Sequence, residues 1–348
     1  MLFPKLLLVL VVLAQTQIWQ PLPVRSNSLE ESSALDSFDP DGWRTRFFPP
    51  KMLSKPKRRL EFPADRSPGA LSICDGASFM HANRDVKTVR LKAQGVIVVP
   101  AGKFVVFYPN HNYFREPGLL DKLPPDAFDS VVLRFVAMED SDYGLADKGL
   151  VALKRFTGIR ALDLAKSEVT DKALAQLLSL KELESIDLFG TTVDGSFLKS
   201  FAGLPKLRAI SMNSNTPRLA NFKYLSAFPH LEAVSFSRNS LTDEAVKQIA
   251  ACKKLQYLDI SNNPGLSDAI VPTIARMTNL KLLDISCTAV SVKGFRGLTA
   301  LKLARIESSQ GSSSHGKVVS GASGPGLRGK PSGDMQTIFG PLSRDRDL

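Results

Sequence analysis

Cysteine is scarce in this chain of 348 residues, which has only three: Cys74, Cys252 and Cys287. An exported domain held together by disulfides carries more cysteines, usually in an even number. No two of the three have the Cys-x-x-Cys spacing of a structural zinc site. We therefore predict no intrachain disulfide and no metal site, and a fold that depends on a packed apolar core.

Residue patterns typical of catalysis are also missing. The sequence contains no GxSxG motif and no P-loop, which are common signatures of nucleophilic catalysis and of phosphate binding. The four histidines, His81, His111, His230 and His315, are scattered along the chain. His81, His111 and Cys74 share one region, but their spacing is not that of metal ligands. We expect a protein that is not an enzyme and that uses no cofactor.

The N-terminal apolar run, Leu6 to Leu13, is too short to span a membrane, because a spanning helix needs about 20 residues. The run follows Lys5 and ends in Val12-Leu13-Ala14, which is the arrangement of an export signal and its cleavage site. We predict a signal peptide at residues 1–14 and a secreted, periplasmic or cell-envelope location. The alternative is an uncleaved hydrophobic anchor.

The net charge of +11 is unevenly distributed. A basic stretch runs from Arg44 to Arg59 without an acidic residue. The residues from Asp129 to Glu307 hold 23 Lys/Arg against 19 Asp/Glu, so this part of the chain is nearly neutral and we expect no nucleic-acid partner. The basic stretch is either a solvated linker or a weak contact for an anionic membrane surface or a polyanion.

Changes in composition divide the chain into regions. Polar residues without periodicity, followed by the basic stretch, predict a disordered linker at 15–59. Short β-branched and aromatic runs separated by Gly and Pro predict a β-rich module at 60–127. The Gly/Ser-rich residues 308–348 predict a disordered tail, in which only Ile338-Phe339 offers a cap for the preceding region.

A nine-residue phrase recurs through the middle of the chain. Positions 1, 4 and 6 of the phrase are apolar, and the period of two is typical of a strand with one buried face. Position 9 is short and polar, and such a side chain can bond backbone groups where the chain leaves the strand. These polar residues are Ser167, Thr191, Asn215, Asn239, Asn263 and Thr288. The phrases begin at Ile159, Leu183, Leu207, Leu231, Leu255 and Leu280, in steps of 24, 24, 24, 24 and 25 residues.

The second half of each unit has apolar residues in steps of three, as on one face of a tight helical return. Cys252 occupies one of these apolar positions, so we place it in the core. Thr170, Thr242 and Ser267, each followed by Asp, stand where a helix N-cap is expected. We also expect an earlier, irregular strand through Val131, Leu133 and Phe135, and a last strand with Leu301, Ala304 and Ile306 at positions 1, 4 and 6.

These six units resemble the leucine-rich repeat family, in the longer-unit variant of ribonuclease-inhibitor-like and F-box-associated repeats and of exported bacterial proteins. The resemblance covers residues 128–307, and consecutive units agree in both halves. It implies an α/β solenoid, with a curved parallel sheet on the concave face and helices outside. Because members of the family mostly bind proteins, it also implies a binding role.

Positions 3, 5 and 7 alternate with the buried positions, so we expect them on the concave face. Position 5 includes Asp163, Asp187, Asp259 and Asp284, which form two pairs on strands about 4.8 Å apart. Such pairs either bind a cation or a basic partner, or are exposed aspartates screened by water and salt. If Asp259 is exposed, its replacement by alanine should have little effect on stability.

Tyr257 and Leu282 are the large apolar residues at position 3, and Phe189 stands at position 7. We predict that these three residues and the four aspartates form a binding surface for a protein or peptide ligand of a monomeric scaffold. Alternatively, the C-terminal tail or a capping segment covers Tyr257 and Leu282. The face measures roughly 500 Å², below the ~800 Å² of a standard interface, so the contact should be weak. A second functional hypothesis is a cell-envelope module that binds anionic surface polymers through the basic stretch.

Overall fold

The computed structural model describes residues 55–75, 89–299, 301, 303, 305–308, 311–314 and 317–319. The chain divides into two units, Met1–Asp41 and Gly42–Leu348, and all described residues belong to the second. The predicted signal peptide, most of the basic stretch, His81, His315 and Ile338-Phe339 lie outside the described residues.

Thirteen strands form one sheet, and the eight that run from β6 to β13 are parallel and follow chain order. This arrangement is the expected stack of strand-and-return units. The strands are β6 (Ser130–Val132), β7 (Ala161–Asp163), β8 (Ser185–Asp187), β9 (Ala209–Ser211), β10 (Ala233–Ser235), β11 (Tyr257–Asp259), β12 (Leu282–Ile285) and β13 (Arg305–Ser308).

The β-rich module extends this sheet instead of forming a separate one. Strand β5 (Lys103–Pro109) is parallel to β6 and antiparallel to β2 (Gly69–Asp75), which pairs with β3 (Val89–Lys92). Strands β1 (Arg58–Glu61) and β4 (Val96–Val99) form a second, two-stranded sheet. Because β1 begins at Arg58, the prediction of a linker up to residue 59 is wrong for Arg58 and Arg59. The buried side chain of Arg58 anchors this strand.

Short helices form the returns on one side of the sheet. The apolar steps of three suit them because a 3-10 helix has three residues per turn. The α-helices are α1 (His111–Arg115), α2 (Leu145–Ala152), α3 (Asp171–Leu174), α4 (Leu198–Phe201), α5 (Asp243–Ile249), α6 (Val271–Ile274) and α7 (Val292–Thr299). Turns of 3-10 helix lie at Pro117–Leu120, Asp140–Asp142, Leu153–Arg155, Leu219–Ala227 and Asp268–Ile270.

The apolar core lies between the sheet and the returns. Side chains at positions 1, 4 and 6, such as Leu255, Leu258 and Ile260, pack with return residues such as Ile249. Cys252 belongs to this core, as predicted, and its burial raises the pKa of its thiol to about 12.

The early, irregular unit is confirmed, whereas the register predicted for the last strand is wrong. Val131, Leu133 and Phe135 are buried around β6. In β13, however, Ile306 pairs with Leu283 and therefore occupies position 4, not position 6. The unit before β13 is shorter than the others, so Leu303 takes the place of a position-1 residue instead of Leu301.

Position 9 carries the expected hydrogen bonds between neighbouring units. The Oδ1 of Asn239 accepts from the backbone N–H of Asn215 at 2.7 Å, and its Nδ2 donates to the carbonyl of Met212 at 2.7 Å. The Oδ1 of Asn263 accepts from the N–H of Asn239 in the same way, at 2.9 Å. These side chains form hydrogen bonds with buried backbone groups that strand pairing does not reach. A buried backbone group without a hydrogen bond would destabilise the fold.

Aspartates join the returns of successive units. The carboxylate of Asp243 accepts from the N–H of Ser267 at 2.9 Å and from its hydroxyl at 2.7 Å. Asp147 binds Thr170 in this way, and Asp268 binds Ser291. The predicted N-cap positions are correct, since Thr170, Thr242 and Ser267 each precede a helical turn. The side chain of Thr242 makes no capping hydrogen bond.

Position 8 has a left-handed backbone in all six units. The residue types at this position do not predict that conformation. Its φ is between 55° and 63° at Lys166, Gly190, Ser214, Arg238, Asn262 and Cys287. This conformation is strained for residues with a Cβ atom, but it lets the chain turn out of the strand. The N–H of position 8 then bonds to the next unit, as from Lys166 to the carbonyl of Phe189 at 2.7 Å.

An antiparallel hairpin follows the last parallel strand. It consists of β14 (Gly311–Ser314), which pairs with β13, and β15 (Lys317–Val319). The prediction of a disordered tail from residue 308 onward is wrong for these two strands. Strand β14 hydrogen-bonds to the edge of β13, whose backbone groups would otherwise be unpaired at the end of the parallel stack.

Candidate functional site

We call the sheet face opposite the returns the open face, and it carries positions 3 and 5. The strand register confirms the expected neighbours on it. Tyr257 lies beside Leu282, and Asp259 lies beside Asp284, across β11 and β12. Asp163 lies beside Asp187 across β7 and β8. The structure therefore brings the sequence-derived residues together as two groups at opposite ends of the repeat stack, with Phe189 half-buried near the first group.

The open face is not exposed, contrary to the expectation from the sequence. Tyr257 is 0% exposed and Leu282 only 4% exposed. The four position-5 aspartates are also buried. Several buried apolar residues on this face are not part of the core between the sheet and the returns. These residues are Phe104, Val106, Ala161, Ala209, Ala233, Tyr257 and Leu282.

Each position-5 aspartate ends its strand by accepting a hydrogen bond from the backbone N–H two residues further on. The distances from Oδ1 to the nitrogen are 3.0 Å for Asp163, 3.0 Å for Asp187, 3.0 Å for Asp259 and 2.8 Å for Asp284. Such a bond is the usual way in which Asp stabilises a turn. The aspartates thus have a structural role besides any role in binding.

Serines fill the middle of the position-5 row, and each contacts one of the two acidic pairs. The hydroxyl of Ser235 lies 2.7 Å from the Oδ2 of Asp259. Ser211 hydrogen-bonds to Asp187. Because each serine is a hydrogen-bond donor beside a carboxylate, Asp187 and Asp259 are not isolated charges.

The Asp163–Asp187 pair has perturbed ionisation. Burial, with the neighbouring charge of Asp163, raises the pKa of Asp187 to about 7. Burial also raises the pKa of Asp163, although the guanidinium of Arg134, 2.5 Å from its Oδ2, opposes the shift. A pair of this kind holds a proton near neutral pH and is therefore not doubly charged there.

Sequence reasoning missed a row of charged side chains at position 2, next to the open face. Their charges alternate from Asp129 to Glu232, and two pairs of oppositely charged neighbours form ion pairs. Arg160 Nη2 lies 2.5 Å from Glu184 Oε1, and Arg208 Nη2 lies 3.0 Å from Glu232 Oε2. These charged residues recur in the sequence at the spacing of the repeat, so the row could have been found there. The row reads Asp129, Arg160, Glu184, Arg208, Glu232, Gln256 and Lys281.

The first member of this row, Asp129, anchors the chain that enters the fold. Its Oδ1 lies 2.8 Å from the Nζ of Lys55 and its Oδ2 lies 2.9 Å from Arg58. The Oδ2 also accepts from the N–H of Val105 at 2.9 Å. The end of the basic stretch is therefore bound at the edge of the open face.

The other candidate residues do not form a site. Cys74 and Cys252 are buried, and Cys287 is exposed. His111 and His230 are exposed, and His111 contacts Arg115. Within the described part of the chain, no group of His, Cys, Asp and Glu side chains is arranged to hold a metal ion.

Comparisons with known proteins find similarities to parts of this chain. The family model described as Leucine Rich repeat matches residues 251–275. Internalin C2 of Listeria monocytogenes is similar over 53% of this chain and 72% of its own, with 22% identity and a TM-score of 0.40. A second internalin of Listeria monocytogenes, inlF, is similar over 53% of this chain and 56% of its own, with 16% identity and a TM-score of 0.37. None of the curated proteins matches the sequence.

The matched residues 251–275 contain β11 and the return that follows it, so the family match falls on a complete strand-and-return unit. The same unit is repeated with nearly constant length on both sides of it. The fold of this chain is an α/β solenoid of repeated strand-and-return units preceded by a small β-rich module, and one of its units matches the leucine-rich repeat model.

Proposed function

We propose that this protein is a non-catalytic scaffold that binds a protein or peptide on the open face of its repeat sheet, outside the cytoplasm. The observation that carries the proposal is the pairing of Tyr257 with Leu282 beside Asp259 and Asp284. These four side chains are buried in the folded chain, so a partner has to replace what covers them. Two large apolar side chains next to two carboxylates favour a partner that presents apolar groups together with Lys or Arg.

The dimensions of the open face favour an extended segment as its ligand. The six position-3 side chains from β7 to β12 span about 24 Å across the strands. The first four are Ala161, Ser185, Ala209 and Ala233, whose small size leaves room along the face. The area of roughly 500 Å² is less than the ~800 Å² that one side of a standard interface buries. An extended peptide can bind through an area of this size, whereas a globular partner usually needs a larger one.

The location outside the cytoplasm rests on the export signal predicted at residues 1–14. In the described residues, no helix combines the length and the apolar character needed to cross a membrane.

The test compares full-length variants by what they retain from a mixture of extracellular proteins. Tyr257→Ala should reduce retention of a partner about fivefold or more, since truncation of an interface anchor costs more than about 1 kcal/mol. Tyr143→Ala is the matched control, because Tyr143 is 72% exposed outside the open face. Asp284→Asn should mainly slow association, and only at low salt. Equal retention by the wild type and Tyr257→Ala would contradict the proposal.

The second candidate function is a cell-envelope module that binds anionic polymers, and the basic stretch from Arg44 to Arg59 favours it. Heparin is a suitable polyanion probe. Binding through the basic stretch should collapse as salt is raised, and should be unaffected by Tyr257→Ala. Binding anchored by Tyr257 should depend on salt much less.

A further inference from the structure

We propose that residues 42–54 of this chain lie across the open face as an intramolecular ligand, which a partner has to displace. The inference rests on the proposed function, because it assigns the first occupant of the same binding face. Residues 42–54 follow the predicted cleavage site after Ala14 and remain in the exported protein on that prediction.

The first support is the burial of the open face. Successive strand residues point to opposite faces, and positions 4 and 6 occupy the core beneath the returns. A tyrosine on a bare sheet face would keep a large part of its ring exposed, yet Tyr257 is 0% exposed. The same holds for Leu282, and for Phe104 at the other end of the sheet. Since these residues lie outside the core, another part of the chain has to cover them.

The second support is the place where residues 42–54 join the fold. The next residue, Lys55, is held by its Nζ at Asp129 and by its carbonyl, which accepts from the N–H of Gly102 at 2.8 Å. Asp129 is the first member of the position-2 row that borders the open face. The segment therefore starts at one end of this face, beside β6.

The length of the segment matches the distance that it has to cover. An extended chain spans up to about 3.3 Å per residue, or about 43 Å for the 13 residues from 42 to 54. The strands from β6 to β12 span about 29 Å. Pro49-Pro50 favours an extended backbone within the segment, which lowers the entropy lost on docking.

The chemistry of the segment complements that of the face. It carries Arg44, Arg46 and Lys51 and no acidic residue after Asp41, whereas the position-5 row presents four aspartates. Its apolar residues Trp43, Phe47 and Phe48 suit a face with Tyr257 at one end and small side chains elsewhere. Residues 320–348 fit less well, because their four Lys/Arg are nearly balanced by three Asp and because glycine makes ordering costly.

The experiment follows the accessibility of Trp43 in the full chain. The two tryptophans are Trp19 and Trp43, so Trp19→Phe leaves Trp43 as the only tryptophan. Quenching by acrylamide, which is neutral, is compared between this chain and the same chain with Arg44→Glu, Arg46→Glu and Lys51→Glu. Lys172, Lys199 and Lys223 are exposed lysines on the returns. The matched control replaces all three with Glu. Thermal unfolding verifies that all three chains are folded.

We expect Trp43 to be protected in the parent and in the control, and accessible after reversal of its own segment. Reversal of three charges beside the acidic row should shift the ratio of docked to free segment by at least about tenfold. Raising the salt concentration to 1 M, where the screening length is about 3 Å, should release the parent segment without any substitution.

Two results would overturn the inference. One is acrylamide quenching of Trp43 that is as efficient in the parent as in the reversed chain and in a peptide of residues 42–54. The other is protection that survives both the charge reversal and Tyr257→Ala, since the segment would then be docked elsewhere. An accessible Trp43 contradicts only this inference, whereas partner retention that is unchanged by Tyr257→Ala contradicts the proposed function.

Discussion

The guanidinium of Arg58 lies 2.9 Å from the carboxylate of Asp129, and both side chains are almost completely buried. The pair joins β1, in the small N-terminal sheet, to the residue that precedes the first strand of the repeat stack. Arg58 also donates to the backbone carbonyls of Asp126 and Lys103, each at 2.8 Å. One side chain thus holds the N-terminal module and the solenoid together.

Replacement of Arg58 by alanine should destabilise the protein strongly. It leaves the buried Oδ2 of Asp129 without its charged partner, and breaking such a pair costs about 3–5 kcal/mol. Arg59→Ala is the control, because Arg59 is the exposed neighbour in the same strand. Urea unfolding of both variants measures the difference, and equal free energies of unfolding would show that the Arg58–Asp129 pair is not structural.

Leu258→Ala and Leu283→Ala should each cost about 2–5 kcal/mol, since both side chains lie in the core at position 4. The structure changes the expectation for Asp259→Ala. Asp259 is buried and accepts hydrogen bonds from Ser261 and Ser235, so its loss should cost about 1–3 kcal/mol instead of almost nothing. Thermal denaturation of the three variants tests this order, and an Asp259→Ala protein as stable as the wild type would favour the exposed face that the sequence predicts.

Asp187→Asn should stabilise the protein above neutral pH. The pKa of Asp187 rises from 3.8 in the unfolded chain to about 7 in the folded one. The folded state therefore binds the proton more tightly, and the stability that this group contributes is complete below pH 3.8 and lost as the pH rises through 7. Asparagine cannot ionise, so the gain should reach about 2–4 kcal/mol at pH 8 and vanish near pH 4.

Asp268→Asn is the comparison, because folding lowers the pKa of Asp268 and raises that of Asp187. Hydrogen bonds from Ser291 hold the pKa of Asp268 below its usual value, so its contribution to stability is present at neutral pH and lost on acidification. The stability lost in Asp268→Asn should therefore be constant between pH 4 and pH 8 and shrink below pH 3.8, whereas the stability gained in Asp187→Asn should grow from pH 4 to pH 8. Parallel pH profiles would be incompatible with the buried carboxylate pair.

Asp243→Ala tests the aspartates that join successive returns. Asp243 accepts two hydrogen bonds from Ser267 in the next unit, and their loss should cost about 1–3 kcal/mol. Its neighbour Glu244 makes an exposed ion pair with Lys247, which is worth less than about 1 kcal/mol. Glu244→Ala is therefore the control. Hydrogen exchange should show faster opening of the 3-10 turn at Asp268–Ile270 in the Asp243 variant, and unchanged exchange there would exclude a joining role.

Much of the fold was predictable because every unit has to form the same strand, turn and return, and therefore needs the same residue types at the same positions. Position 9 is an example, since a buried turn needs a polar side chain wherever it occurs, and Asn239 and Asn263 supply it. The register of the short last unit was not predictable, because Leu301 and Leu303 are equally apolar and only the pairing of Ile306 with Leu283 distinguishes them. The position-2 charge row was visible in the sequence but has meaning only once the strands are known to be adjacent.

The amino-acid sequence alone determined which side chains enter the core and which strands become neighbours, because alternation and constant unit length are properties of the chain itself. Tyr257 beside Leu282 follows from those two properties. Only the tertiary structure decided that the opposite face is buried and that Asp129 binds Lys55 and Arg58. The physical reason is that burial and ion pairing depend on which distant parts of the chain meet, and the spacing within a repeat carries no information about residues outside it.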